Sequence, residues 1–217
     1  MKKKKIKERI LFIVLIVVAA LFIAPVIVVF MNSFKTNTGI GVSLFAIPQG
    51  EYFAGFDNYI TGLTFGDYPF FKAFIYSVII TVTSTLLILF CTSMAAWYIN
   101  RVGSLFSKII YYLCIFSMVV PFQMVMFTMS KTANVLRLDN PIGIIIIYLG
   151  FGAGLATFMF TGFIKSVPKG VEEAATIDGC NTLQTYWKIV FPILKPTTIT
   201  VAILNTMWIW NDYLLPY

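Results

Sequence analysis

The sequence predicts an all-α protein, a polytopic bundle of transmembrane helices, from its composition and the length of its apolar runs. Hydrophobic residues make up 59% of the 217-residue chain, charged residues only 12%, and the mean hydropathy is +0.88. A soluble domain carries about a quarter charged residues, so this balance indicates a membrane protein. Several runs reach the ~20 apolar residues that a helix needs to cross the hydrocarbon core. They are too long for barrel strands, which alternate over ~10 residues, and only helices or closed barrels span lipid.

Five spans are predicted along the chain. The first covers 10–31 and follows a basic N-terminus at 1–9. A signal peptide is the competing interpretation, but its apolar region covers only about 7–15 residues and no small-residue cleavage site follows here. The other spans are predicted at 73–99, 109–129, 142–164 and 197–217. Asn140 and Pro141 open the fourth of the five as a cap and a first helical residue.

Charge asymmetry predicts the orientation of the bundle. With the N-terminus inside, the inner segments hold Lys2, Lys3, Lys4, Lys5, Lys7, Arg9, Arg101, Lys108, Lys165, Lys169, Lys188 and Lys195. The outer segments, including a turn-rich loop at 32–71, hold only Lys35, Lys72, Lys131 and Arg137. The positive-inside rule therefore predicts a cytoplasmic N-terminus, a cytoplasmic loop at 165–195 and Tyr217 near the outer face.

Several chemistries are excluded by the sequence. The chain has no histidine, which removes histidine-based acid–base, triad and metal chemistry, so no catalytic or metal site is predicted. Its three cysteines, Cys91, Cys114 and Cys180, are far apart and imply no disulfide framework. No phosphate-binding loop of the G-x-x-x-x-G-K-[ST] type occurs, so ATP binding is not assigned to this chain. The basic residues cluster before an apolar run, which is a membrane pattern and disfavours nucleic acid.

The polar segment at 168–192 predicts two short helices. Pro168 suits the first turn of the first helix, and Glu172 and Glu173 lie near the positive end of its dipole. Gly179 is expected to end that helix in a left-handed conformation. Asn181 and Gln184 then resemble a capping box for the second helix. Its apolar face is predicted from helical spacing at Leu183, Tyr186, Trp187 and Val190. By periodicity alone, this face would simply lie on the bundle.

The joint pattern over 173–192 resembles the EAA loop of ABC-importer permeases. An acidic residue and two alanines are followed at fixed spacing by glycine, isoleucine and proline, at Glu173, Ala174, Ala175, Gly179, Ile189 and Pro192. Phe191 departs from the family motif, which usually has leucine there. Residues 70–216 resemble the sugar-type branch, of the maltose-transporter kind with the shorter outer loop. Other matching points are Ala95-Ala96-Trp97-Tyr98, Pro121, the stretch 162–179 and Trp210-Asn211-Asp212-Tyr213.

The resemblance implies a type I ABC-importer permease, a non-enzymatic transport subunit of a bacterial plasma membrane. Such subunits have six helices, so a sixth is expected to be missing from this truncated chain. The implied partners are a second homologous permease, two ATP-binding cassette subunits carrying ATP and Mg, an extracellular solute-binding protein and a sugar substrate. This chain itself is expected to bind no cofactor. Coupling to the ATPase is expected at Glu172, Glu173, Ala174, Ala175, Asp178, Gly179, Leu183, Tyr186 and Trp187.

Polar residues within the spans are candidates for the translocation path. Gln123 follows Pro121, which removes a backbone hydrogen bond and bends a helix, and broken helices often flank transport sites. A structural kink with a locally satisfied glutamine explains the pattern equally well. Asn205, Asn211 and Asp212 are comparable candidates in the last span. Asp212 lies ~24 Å along that helix, so an exposed position at the outer boundary is expected for its carboxylate.

Small and polar residues also predict contacts between helices. Ser77, Thr81, Ser84 and Thr85 share one face of the second span, where hydroxyl residues usually join helices. A GxxxG pattern at Gly150 and Gly154 predicts close packing in the fourth span.

Three other functions stay open at the level of sequence: an ABC permease for a non-sugar solute, a stand-alone secondary transporter and a membrane scaffold. Secondary transporters usually carry an ionisable residue deep in a span or a repeated half, and neither is found here. A scaffold leaves the 173–192 pattern unexplained.

Overall fold

The computed structural model describes residues 2–66, 69–213 and 215, with side chains from Lys5 onward. Within those residues the regular elements are all helical, and one isolated β-bridge joins Lys35 and Phe53. Contacts divide the chain into two units, 1–73 and 74–217. Each unit has its own packing.

The first unit consists of one long helix followed by a short folded segment. Helix α1 covers Lys2–Asn32, with Pro25 inside it, and its apolar side chains are exposed along its length. After it come α2 at Asn37–Val42, a 3-10 turn at Gly50–Tyr52 and α3 at Asp57–Thr64. A helix that is apolar on every side and unburied is suited to lipid contact.

The second unit is a bundle of long helices with an insert of short helical elements. The long helices are α4 at Phe70–Val102, which begins in the first unit, α5 at Leu105–Val119, α6 at Phe122–Val135 and α7 at Pro141–Ile164. The insert holds α8 at Lys169–Ile177 and α9 at Thr182–Thr185, a π-helical turn at Tyr186–Val190 and α10 at Phe191–Ile193. Helix α11 covers Lys195–Trp210. The core is formed by residues such as Ile88, Tyr148, Phe160 and Val201.

Among the described residues, three helices are individually long and apolar enough to cross a membrane, at Lys5–Asn32, Phe70–Val102 and Pro141–Ile164. Two bent pairs bring the number to five if each pair is one span. They are Leu105–Val119 with Phe122–Val135, bent by 111°, and Thr182–Ile193 with Lys195–Trp210, bent by 74°. Residues 214, 216 and 217 of the predicted last span, and with them the predicted position of Tyr217 near the outer face, lie outside the described residues.

The predicted span at 109–129 is two helices instead of one. Pro121 supplies no backbone N–H and forces the preceding residue into extended conformation. Val120 accordingly has φ −78° and ψ 114°, and Pro121 itself is the N-cap of α6. The helix therefore breaks at the proline, and the bend of 111° between α5 and α6 is larger than the kink that the sequence predicted.

Helix α7 begins as predicted and packs through glycine, though not through the predicted pair. The Asn140 side chain accepts hydrogen bonds from the amides of Ile142 and Gly143. A Cβ at Gly154 would lie 2.7 Å from the Cys114 carbonyl oxygen, so α5 and α7 are in backbone contact there. Gly150 has no neighbour within 4 Å of such an atom, which makes the prediction wrong for this glycine. Gly152 is also closely packed, against Ile88 and Asn205.

Of the four hydroxyl residues predicted to share one face of α4, all but Ser77 are buried. Thr81, Ser84 and Thr85 are buried, and the Thr85 hydroxyl lies 3.3 Å from that of Thr206 on α11. Ser77 is exposed, so the polar contact face begins one turn later than the spacing predicted.

Candidate functional site

The turn between α8 and α9 has the predicted local chemistry. Gly179 has a φ of +85°, the left-handed conformation that glycine adopts without steric cost. The Asn181 side chain accepts from the Gln184 amide at 2.8 Å, and the Asn181 amide donates to the Gln184 side chain at 3.0 Å. This is the predicted capping box. Pro168 lies one position before the first helical residue, as the N-cap of α8.

Glu172 holds the insert to the end of α4. Its Oε1 accepts from Arg101 Nε at 2.9 Å and from Arg101 Nη2 at 2.6 Å, and its Oε2 accepts from Trp97 Nε1 at 3.1 Å. Arg101 Nη2 also donates to the Val167 carbonyl at 3.2 Å. The Arg101 and Glu172 side chains are only 16% and 13% exposed. Charge-assisted bonds shielded from water are the strong ones, so this cluster fixes where the insert leaves the bundle.

Tyr186 forms a second attachment of the insert. Its hydroxyl lies 2.6 Å from that of Ser93 on α4, and its ring packs 5.3 Å from the ring of Trp97. Tyr186 is fully buried. It therefore attaches the insert to α4 and is not part of an exposed docking face.

The four residues of the predicted apolar face at 183–190 do not share one face: two are buried and two are exposed. Tyr186 and Val190 are buried, whereas Leu183 and Trp187 are 60% and 41% exposed. The reason is the π-helical turn at Tyr186–Val190, whose wider winding changes the 3.6-residue spacing on which the prediction depended. Leu183 and Trp187 remain available to a partner.

Three of the other predicted coupling residues, Glu173, Ala174 and Asp178, are exposed on α8 and at its end. Ala175 of the same helix is buried. An open groove lies between the end of α4 and the insert. Its lining includes Tyr98, Glu173, Leu183 and Thr185. Acidic and apolar side chains are thus presented together on one surface.

The four translocation candidates have different surroundings. Gln123 is exposed in the first turn of α6. Asn205 is buried, and its amide donates to the Val201 carbonyl one turn earlier at 3.0 Å. Asn211 is exposed and caps its own helix through the Met207 carbonyl. The expectation of an exposed Asp212 is wrong: α11 ends at Trp210, and the half-buried Asp212 carboxylate accepts from the Tyr148 hydroxyl at 3.2 Å.

Comparison with known families decides the class of this protein. Residues 88–217 match the family model described as binding-protein-dependent transport system inner membrane component. The chain belongs to this family. It is therefore an integral membrane transport component, which excludes the stand-alone secondary transporter and the scaffold.

Relatives and a solved structure extend the likeness to the whole chain. The probable permease protein AmyC of a starch degradation products transport system in Thermoanaerobacterium thermosulfurigenes is 38% identical over all of this chain and 77% of its own length. The permease protein MsmG of a multiple sugar-binding transport system in Streptococcus mutans is 37% identical over 99% of this chain and 76% of its own. The crystal structure of a bacterial ABC transporter involved in alginate import matches 98% of this chain and 74% of its own with a TM-score of 0.81. At 20% identity, this last likeness shows the fold alone.

Sequence reasoning missed the residues of this permease that receive the insert. Ser93, Trp97 and Arg101 lie on α4 and bond to Tyr186 or Glu172, more than 70 positions away. From the sequence, Trp97 contributed only to the family resemblance, and Arg101 contributed only as a positive charge that predicts the orientation. The sequence did contain a signal for a carboxylate partner. Trp97 and Arg101 lie one helical turn apart at the end of a span, so an indole N–H and a cation can donate to the same acceptor.

Proposed function

We propose that this permease forms part of the translocation path of an ATP-driven importer for a carbohydrate. The support for the substrate class comes from the relatives. They include AmyC, MsmG and the diacetylchitobiose uptake permease NgcG of Streptomyces coelicolor, which is 30% identical over 93% of this chain. The N-terminus and the insert are cytoplasmic in this proposal, consistent with the positive-inside distribution of lysine and arginine.

The proposed transporter contains three further subunits and acts with an extracellular protein. A second homologous permease completes the path, two ATP-binding cassette subunits bind ATP and Mg, and a solute-binding protein delivers the sugar. Glu172, Ala175, Gly179 and Tyr186 of this chain shape and hold the insert. Glu173, Leu183 and Trp187, together with Ala174 and Asp178, form the surface that meets the ATPase.

The observation that carries the proposal is the attachment of the insert to α4. A docking element transmits movement only when it is rigidly joined to the element that moves. Here Glu172 and Tyr186 join it to a 33-residue helix through Arg101, Trp97 and Ser93. Closure of the ATPase dimer would displace the insert, and these bonds would pass the displacement to α4. Gln123, Asn205, Asn211 and Asp212 remain the proposed path residues.

Removal of the exposed docking side chains tests the ATPase contact. The double variant Glu173→Ala, Trp187→Ala should lose ATPase binding while the bundle stays folded, because neither side chain is buried. Loss of an aromatic that is a hot spot of an interface costs ~2 kcal/mol or more, which is about 30-fold in Kd. The measurement is co-purification of the ATPase with tagged permease at several ATPase concentrations.

A matched control removes the same kinds of side chain from the outer segment. Glu51→Ala, Phe53→Ala deletes an exposed carboxylate and an exposed aromatic there. It should bind the ATPase as the unaltered chain does. Equal ATPase recovery with the Glu173, Trp187 variant and with the control would place the docking surface elsewhere.

A further inference from the structure

The segment 33–66 leaves two apolar surfaces uncovered in the first unit. One is the stretch after α2, where Val42, Phe45 and Ile47 are 69%, 80% and 70% exposed. The other is a stripe along α3 with helical spacing, at Phe56, Ile60 and Leu63. Exposed apolar surface of this extent marks a contact with another molecule or with a membrane.

Hydrogen bonds hold both surfaces near the end of α1. Asn32 Nδ2 donates to the Leu44 carbonyl at 2.9 Å, which fixes the first surface to the last turn of the helix. Asn58 Nδ2 donates to the carbonyls of Ser33 at 2.9 Å and Lys35 at 2.7 Å, which fixes α3 to the residues that follow it. The two surfaces therefore share the depth of residues 32–35.

Residues 32–35 lie at the boundary of the hydrocarbon core of the membrane. The apolar run 10–31 of α1 is about 33 Å long at ~1.5 Å per residue, close to the ~30 Å thickness of a bilayer core. Its other end carries the basic residues of the N-terminus. Asn32 is therefore at the membrane surface opposite to the N-terminus, and Leu44 and Asn58 are beside it.

The charges of the segment are arranged to permit contact with lipid. Lys35 is the segment's one cation in the sequence, and its side chain is 2% exposed. Its ammonium donates to the backbone carbonyl of Ser43 at 2.7 Å, which hides the charge from the surface. The two acidic residues, Glu51 and Asp57, are exposed. Binding to a membrane would therefore depend on apolar burial and not on attraction to anionic lipids.

Aromatic rings surround the same point. Phe34 packs 5.3 Å from Phe30 of α1, 5.7 Å from Phe56 and 5.5 Å from Tyr59 of α3. The Tyr59 hydroxyl lies 2.5 Å from that of Ser33. Tyrosine and tryptophan concentrate at the level of lipid headgroups. The position of Tyr59 beside the residues that follow α1 agrees with the depth given by the helix length.

We propose that segment 33–66 is an interfacial anchor, with Phe45 and the apolar stripe of α3 inserted among phospholipids on the side opposite to the N-terminus. Lipid is favoured over a soluble partner because these surfaces are at the level of the hydrocarbon boundary and continue the apolar surface of α1. A docking surface for a transient protein partner is typically no more apolar than the rest of a protein surface. The anchor fixes the depth and the tilt of α1.

Collision accessibility of nitroxide labels tests the anchor. Labels are placed at Phe45→Cys, Ile60→Cys and Thr61→Cys in the assembled transporter, in phosphatidylcholine nanodiscs, after replacement of Cys91, Cys114 and Cys180 by alanine. Thr61 is the matched control, because it is exposed on α3 beside Ile60 but outside the apolar stripe. The labels at 45 and 60 should collide readily with oxygen and lose collisions with a water-soluble nickel chelate. The label at 61 should show the opposite preference.

The same labels distinguish lipid from a protein partner. Addition of anionic phosphatidylglycerol should leave the accessibilities unchanged, since the segment's cation is buried. Full exposure of positions 45 and 60 to the nickel chelate would overturn the proposal. Protection that occurs only after the solute-binding protein is added would also overturn it and assign the surface to that protein. None of these outcomes depends on transport or on ATPase docking.

Discussion

At the scale of single residues, two adjacent glutamates of the insert have opposite roles. Glu172 points to α4 and is largely shielded by Arg101 and Trp97, while Glu173 is exposed. Neighbouring helical residues point about 100° apart, so one face of α8 can be bonded to the bundle and the next can be free for a partner. The sequence motif contains both carboxylates but does not show this division.

A double-mutant cycle measures what the Arg101–Glu172 pair contributes. Arg101→Gln and Glu172→Gln should each lower the midpoint of thermal unfolding, with a cost of ~2 kcal/mol, between the values for exposed and fully buried pairs. The double variant should lose less than the sum, because neither charge is then left alone. Uptake per ATP should fall in both single variants.

The control for this cycle is Lys108→Gln, which removes a positive charge from an exposed position on α5, outside the groove that Glu172 lines. Its unfolding midpoint and its uptake per ATP should match those of the unaltered chain. Strictly additive losses across the cycle would show that Arg101 and Glu172 act independently, contrary to their 2.6 Å contact.

At the scale of helices, the features that depend on local chemistry were predictable and those that depend on packing were not. The capping box at Asn181, the positive φ of Gly179 and the break at Pro121 each follow from the conformational limits of a few neighbouring residues. The inward direction of Tyr186 depends on a π-helical turn and on Ser93. Likewise, Gly152 packs closely only because Ile88 and Asn205 face it. Such contacts are non-local, so periodicity does not contain them.

The turn between α8 and α9 should require its glycine for conformational reasons alone. A Cβ at Gly179 would meet nothing within 4 Å, so the first side-chain atom is not crowded there. The left-handed conformation costs an L-residue ~1–2 kcal/mol, and asparagine adopts it more readily than most other residues. Gly179→Val should therefore lower uptake per ATP without reducing the amount of permease in the membrane.

Gly179→Asn is the matched variant for this turn and should retain most of the coupling. The measurement is sugar uptake against ATP hydrolysed in proteoliposomes that contain the complete transporter. If valine and asparagine gave the same ratio as glycine, the left-handed turn would have no part in coupling.

At the scale of the whole molecule, the topology depends on how the bent pair of α5 and α6 crosses the membrane. Two helices that meet at 111° are either one broken span or a re-entrant pair that returns to the side it left. In the first case Arg101 and Arg137 lie on opposite sides of the membrane, and in the second they share a side. The positive-inside rule favours the broken span, since it keeps the lysines of the insert on the side of the basic N-terminus.

Reporter fusions after Arg101, Arg137 and Lys188 distinguish the two arrangements. A reporter that works only in the cytoplasm should be active after Arg101 and Lys188 and silent after Arg137, because a broken span carries the chain outward before α7 returns it. A reporter that works only outside the cytoplasm supplies the reciprocal control at the same positions. If α5 and α6 were re-entrant, the cytoplasmic reporter would be active after Arg137 and silent after Lys188. That result would place the insert outside the cell, where no ATPase could reach Glu173 and Trp187, and would refute both the topology and the coupling role.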